Sequence, residues 1–261
     1  MKRLLLALGL CLAAASAHAA GEAPKPPKQK WDFFGAFGTF DRAQLQRGLQ
    51  VYLEVCSACH ALEHVAYRDL GPLGPGAANG PKGLGYTEEE VAAIAAQKQV
   101  NDINDAGETI QRPARPSDKF VRPFPNERAA RAANNGAYPP DLSLITKARD
   151  AGPDFTYAVL TGYKNAPADH KVPEGMYYNE YFPGHNIAMP PPLSPGGVTF
   201  ADGTEASTQQ MAKDVTAFLH WAAEPNIEAR HQTGLKVMLF LIVGTILFFF
   251  LKRRTWADVH H

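Results

Sequence analysis

VCSACHAL, residues 55–62, places two cysteines two residues apart with a histidine directly after the second. The chain holds only three cysteines in 261 residues, so a pair at that spacing calls for a chemical reason. Cys-x-x-Cys-His is the attachment pattern of c-type haem. Two thiols about one helical turn apart add to the two vinyl groups of the porphyrin, and the next imidazole is carried under the iron. The motif therefore assigns Cys56 and Cys59 to one covalently bound haem c, and His60 to the proximal axial position. Three other uses of the pair lack support. A redox dithiol needs a thioredoxin-like βαβ frame, zinc needs a second pair of ligands, and a disulfide across two residues is strained and staples almost nothing.

The ends of the chain give the motif a compartment. Lys2 and Arg3 precede a short apolar run over residues 4–15, and Ala17, His18 and Ala19 follow as a small-x-small site. This is the pattern of a secretory signal peptide, expected over residues 1–19 and cleaved. Cys11 leaves with it, so Cys56 and Cys59 are the only thiols of the mature chain. At the other end, TGLKVMLFLIVGTILFFFL (residues 233–251) carries a single charge, Lys236. At about 1.5 Å per residue it spans roughly 28 Å, the thickness of a bilayer's hydrocarbon core. Lys236 lies near one end, where it can snorkel to the headgroups. Lys252, Arg253 and Arg254 follow at once and place that side in the cytoplasm. The expected organisation is a periplasmic haem domain over residues 20–232, a transmembrane anchor over 233–251 and a cytoplasmic tail over 252–261. Such a chain would be a single-pass protein of a bacterial cytoplasmic or intracytoplasmic membrane, in contact with membrane lipid.

Formal net charge is zero, which argues against a nucleic-acid binder. Between residues 20 and 232, however, 20 Lys and Arg meet 25 Asp and Glu. Much of the excess falls in residues 88–108, where Glu88, Glu89, Glu90, Asp102, Asp105 and Glu108 meet only Lys98. An acidic face on an exported domain suits a basic partner, although a charge run also serves as an ordinary solvated surface.

The pattern predicts a mainly α protein, a cytochrome-c-like haem domain with few helices and long loops. A first helix over 41–56, capped by Asp41, repeats Leu45, Leu49, Tyr52, Leu53 and Cys56 at helical spacing and delivers the cysteine motif at its end. Residues 71–85 are a Gly/Pro loop. Thr87 and Glu90 form a capping box for a helix over about 88–98. Residues 101–126 read as irregular, with Pro113, Pro116, Pro123 and Pro125. Short helices are expected from 126 to 133 and from 154 to 161, the latter behind Pro153. Residues 162–197 form a long Pro/Gly/Tyr loop of the kind that wraps something. A last soluble helix, 208–223, aligns Met211, Val215, Phe218, Leu219 and Ala222 on one stripe.

A sixth iron ligand separates electron transfer from catalysis. Met211 lies on an apolar stripe and Met238 in the span. Met176 and Met189 lie in the long loop, Met189 in a stretch stiffened by Pro190, Pro191 and Pro192. His64 and His185 are alternatives, and the residues by themselves leave this position open.

Several separate stretches together resemble the cytochrome c1 family, the c-type haem subunits of cytochrome bc1 complexes (ubiquinol–cytochrome c oxidoreductases). Besides VCSACHAL they are RPARPSDKF (112–120), AARAANNGAYPPDLSLI (129–145), LTGYKNAP (160–167), YFPGHNIAMPPPL (181–193) and AKDVTAFLHWAAEP (212–225), followed by the C-terminal anchor. The resemblance covers nearly the whole mature chain. It implies Cys56 and Cys59 as the haem cysteines, His60 and Met189 as the axial pair, and Arg112 as the partner of a haem propionate. The turn at Asn134, Asn135 and Gly136 and the pair Pro139 and Pro140 match segments near the haem to which the sequence assigns no role. The resemblance also implies an electron carrier rather than an enzyme on its own. It would take one electron from a Rieske iron–sulfur protein and pass it to a c-type cytochrome, beside cytochrome b in a dimeric complex. Some bacterial members have an extra cysteine pair that this chain lacks. The readings to be set against this are a free-standing membrane-anchored shuttle cytochrome and a haem enzyme or gas sensor with an open sixth site.

Overall fold

The structure, a computed structural model, describes residues 23–72 and 83–258. The expected signal peptide, most of the Gly/Pro loop at 71–85 and the last residues of the expected tail lie outside them. In chain order the elements are α1 (Arg42–Glu54), α2 (Glu88–Ala96), a hairpin of β1 (Gln99–Ile103) and β2 (Thr109–Pro113), α3 (Glu127–Ala133) and α4 (Pro153–Thr161). A two-residue ladder of β3 (Tyr177–Tyr178) and β4 (Asn186–Ile187) follows, then α5 (Thr208–Ala223) and α6 (Ile227–Thr255). Short 3-10 turns cover Cys56–Ala58 and Tyr67–Leu70. The mainly α expectation holds.

The chain divides into two compact units. The first comprises residues 47–63 and 122–223, with the described residues of 1–29. Its core gathers Leu49, Tyr52, Leu62, Met211, Val215, Phe218 and Trp221, all essentially without solvent contact. The stripe read on α5 is therefore its buried face, and Met211 is a packing residue. Against α5 lies Gly48 of α1, where an added Cβ would meet the Asp214 carbonyl oxygen at 2.1 Å and the Phe218 Cβ at 2.7 Å. The two helices approach so closely because glycine has no side chain. One ion-pair network stiffens the crossing: Arg47 donates to the buried Asp214 (2.8 Å) and to Asp202 (2.8 Å), and Gln210 also donates to Asp214 (2.8 Å). Helix α4 starts with Pro153 at its first turn, where a missing N–H costs nothing. The Asn134–Gly136 turn closes α3 in the left-handed region, with φ of 50° at Asn135 and 83° at Gly136.

The second unit comprises the described residues of 30–46, 64–121 and 224–261. Thr87 and Glu90 cap α2 as expected: the Thr87 hydroxyl accepts from the Glu90 N–H and the Glu90 carboxylate from the Thr87 N–H. Residues 101–126 are not irregular throughout. The β1–β2 hairpin pairs Asp102 with Ile110 and Val100 with Arg112. Its turn is tied by the Asn104 side chain, which accepts from Ala106 and Glu108, and Gly107 takes φ of 80°. The hairpin lacked a sequence signal because its strands bury almost nothing and β2 ends on a proline. Helix α6 is longer than the expected span. It begins at Ile227, and its run from Leu235 to Leu251 exposes apolar side chains such as Phe240 and Phe248 on its surface. It is long and apolar enough to cross a membrane once.

Candidate haem site

Helix α1 ends where the cysteine motif begins. Its last bond from Val55 N–H to the Val51 carbonyl (2.9 Å) gives way to a tighter turn. There the N–H groups of both Cys59 (3.1 Å) and His60 (2.9 Å) donate to the Cys56 carbonyl. The Ser57 hydroxyl donates back to the Leu53 carbonyl (2.7 Å), and the Tyr52 hydroxyl, on a ring packed against Phe218, donates to the His60 carbonyl (3.1 Å). The motif is thus a wound turn on the end of a packed helix. It leaves Cys56 half-buried and Cys59 exposed, both as free thiols. Burial, with Cys59 nearby, pushes the Cys56 thiol up to about 12, so it stays a thiol rather than a reactive thiolate.

His60 Nδ1 lies 2.8 Å from the carbonyl oxygen of Pro140. A carbonyl can only accept, so Nδ1 carries the proton and Nε2 keeps its lone pair. Burial lowers the imidazole pKa against the opposing effects of the Pro140 bond and the Asp141 charge, which favours this neutral form. The Pro140 loop is itself stitched to the motif's exit. Asp141 accepts from the N–H of Glu63 (2.9 Å) and of Ser143 (2.8 Å), and Leu142 N–H donates to the Ala61 carbonyl (2.9 Å). The stretch Pro139–Asp141, which the sequence left without a role, orients the histidine.

Met189 belongs to the same unit as the motif and is half-buried, two residues beyond β4. Its main-chain carbonyl accepts from the Tyr163 hydroxyl (3.0 Å), whose pKa burial raises, so it remains a donor. The root of the long loop is fixed as well. Asn179, fully buried, donates to the Val159 carbonyl (2.8 Å) and accepts from Tyr181 N–H (3.1 Å). Gly162 lies too close to the Ala158 carbonyl and the Tyr181 ring, both 2.7 Å from a notional Cβ, for any larger residue.

The family model described as "Cytochrome C1 family" matches residues 31–259. The chain belongs to the cytochrome c1 family. Among its relatives, a protein named "Cytochrome c1" from Rhodospirillum rubrum is 44% identical over 279 residues, covering all of this chain and 98% of that one. "Cytochrome c1-2, heme protein, mitochondrial" from Solanum tuberosum is 46% identical over 244 residues, 93% of this chain and 90% of its own. A "Cytochrome b/c1" from Bradyrhizobium diazoefficiens is 50% identical over 90% of this chain, which spans only 36% of that longer protein.

Cytochrome c1 proteins carry a covalently attached haem c. The residues present fit that group. Two free thiols sit one turn apart, one of them at the surface, and the adjoining imidazole is locked in the tautomer that presents a lone pair at Nε2. Among the described residues no group of three or more His, Cys, Asp or Glu is set to hold a metal ion.

Of the other candidates for a cytochrome c1 axial ligand, Met211 is core and Met238 lies on the apolar surface of α6. Met176 is 41% exposed and His64 is exposed. His185 is engaged in its own turn, at φ of 60°, with Nδ1 3.3 Å from the Asn179 carbonyl and its ring stacked on Tyr178. Arg112 lies in the second unit, on β2. Its Nε donates to Asp102 and its Nη atoms to Asp118 (2.6 Å) and the Pro113 carbonyl (3.0 Å). These carboxylate partners were not anticipated. The Arg112 guanidinium holds Asp118 down to about 2 and lowers Asp102. The acidic stretch is likewise partly used within the fold, Glu90 in a helix cap and Asp102 in this pair.

Proposed function

We propose that this chain is the electron-transfer subunit of a cytochrome bc1 complex, with Cys56 and Cys59 holding haem c and His60 and Met189 as its axial ligands. Haem, when bound, supplies a one-electron couple. The chain's own part is to hold a fixed ligand set. The Pro140 carbonyl keeps His60 in one tautomer and one orientation, and the Tyr163 hydroxyl anchors the backbone of Met189. Ligands restrained through backbone contacts rearrange little when charge changes, which suits electron transfer rather than substrate turnover. The bond from His60 to Pro140 is the single observation that carries the reading, because it fixes the histidine that follows the cysteine pair in the tautomer whose Nε2 lone pair is left for a metal.

In this reading the chain accepts one electron from a Rieske iron–sulfur protein, stands beside cytochrome b in a dimeric complex and passes the electron to a c-type cytochrome. Quinol oxidation belongs to the other subunits. The residues from about 20 to 232 form the periplasmic haem domain after removal of 1–19. Residues 233–251 cross the membrane, and the tail from Lys252 stays in the cytoplasm. Arg112 keeps one Nη hydrogen beyond its bonds to Asp102, Asp118 and Pro113, and that hydrogen is its means of meeting a propionate. The exposed acids of residues 88–108 serve as a docking face for a basic acceptor, so its reduction rate should fall with added salt.

Met189→Leu tests the ligand set. Loss of the thioether removes the donor that raises the potential. The variant should keep its covalent haem, titrate at a markedly lower potential and bind carbon monoxide when reduced. An unchanged potential would assign the position to Met176 or a histidine.

A further inference from the structure

The segment ahead of α1 has a property that electron transfer does not use. Trp31, Phe33 and Phe40 are buried and packed on one another, with ring centroids 5.4 Å apart for Trp31 and Phe33 and 5.0 Å for Phe33 and Phe40. Between them, residues 34–37 (Phe-Gly-Ala-Phe) turn outward without a charge, Phe37 being 76% exposed and Phe34 49%. This tip is built rather than loose. Thr39 N–H donates to the Asp32 carbonyl (3.0 Å) and Gly38 N–H to the Gly35 carbonyl (3.2 Å). Gly35 takes φ of 88°, and a Cβ on Gly38 would meet the Phe33 backbone at 2.4 Å. A closed loop that holds two phenylalanines in water forgoes the favourable burial of those rings unless something apolar covers them.

The loop's attachments indicate what that is. The Gly38 carbonyl accepts from His231 Nδ1 (2.9 Å), and Phe40 N–H donates to Glu228 Oε1 (2.8 Å). Arg42 Nη2 donates to Glu228 Oε2 (2.7 Å). Glu228 and His231 form the start of α6, and its apolar run begins at Leu235, about 6 Å further along the helix axis. The tip is therefore fixed at the level where that helix would enter the bilayer. Lys30, exposed just ahead of Trp31, offers a cation to anionic headgroups.

We propose that Phe34 and Phe37 insert at the headgroup–acyl boundary, so that the chain meets the lipid bilayer at a second point beside its anchor helix. The inference rests on α6 being a membrane span, and the test separates the two. In the mature holoprotein, which has lost Cys11 with the signal peptide, Cys56 and Cys59 are consumed in thioethers, so a nitroxide can be placed singly through Phe37→Cys, Phe34→Cys, Asp105→Cys in the hairpin turn, or Phe240→Cys in the apolar run. Each variant is reconstituted in phosphatidylcholine–phosphatidylglycerol vesicles, and its relaxation by oxygen is compared with that by a water-soluble nickel chelate. The expected ratio is several-fold higher at 34 and 37 than at 105, and highest at 240. A label at 240 in lipid with those at 34 and 37 as chelate-accessible as the one at 105 overturns the proposal. A label at 240 in water overturns the span itself. Labels at 34 and 37 that are open to the chelate in vesicles but shielded in the assembled complex overturn the proposal in favour of a partner subunit.

Discussion

The carbonyl oxygen of Pro140 decides which nitrogen His60 keeps unprotonated, and Asp141 decides where that carbonyl sits. Asp141 bridges the motif's exit and its own loop through two backbone N–H groups, bonds strengthened by the carboxylate's charge. Asp141→Ala should lower stability by about 2 kcal/mol in denaturant unfolding of the holoprotein, with the haem still attached. Equal stability would mean that the loop is held without it. The Cys-x-x-Cys-His motif was legible because covalent haem attachment demands those side chains at that spacing. Pro140 was not, since a backbone acceptor leaves no mark on residue type. The partners of Arg112 were hidden for another reason: Asp102 reaches it only through the register of a hairpin that the composition did not announce.

Helices with one buried face and a cap were readable nearly to the residue. The expected 208–223 matches α5, and the capping box starts α2 where Thr87 places it. The motif's own helix stops at Glu54, short of the expected 56, because the cysteine turn tightens under Ser57. The last helix starts six residues before the expected span at 233, since Ile227 and the polar residues after it continue the helix while binding the 31–42 segment. The closest helix contact turns on one missing methyl group. Gly48→Ala would drive a Cβ into the Asp214 carbonyl. We expect a loss of about 3 kcal/mol, the upper end for overpacking, read as a lower denaturant midpoint with an unchanged slope. A variant as stable as the parent would show that α1 and α5 separate freely.

For the whole molecule, acid is the informative stress. Asp118, paired with Arg112, and Asp202, bonded to Thr204 N–H and Arg47, both lie at about 2 against an ordinary 3.8. Folded values below the ordinary one mean that these carboxylates stabilise the fold above that value. The contribution is lost as pH falls from about 4 towards 2. The thermal midpoint should drop across that window, and Asp118→Asn should flatten the drop. A profile unchanged by the substitution would remove the pair from the account. The long apolar C-terminal helix and the mainly α fold could be read from composition and pattern, whereas the division of the chain into two units could not, because each unit is assembled from segments far apart in sequence. The most direct measurement for the chain as an electron carrier is an optical redox titration of the intact, membrane-extracted holoprotein, run under argon and repeated under carbon monoxide. His60 and Met189 ligation predicts a single one-electron wave, a sulfur–iron band present in the oxidised form and lost on reduction, and the same midpoint under both gases. A midpoint that rises under carbon monoxide, or an oxidised form without that band, would contradict it.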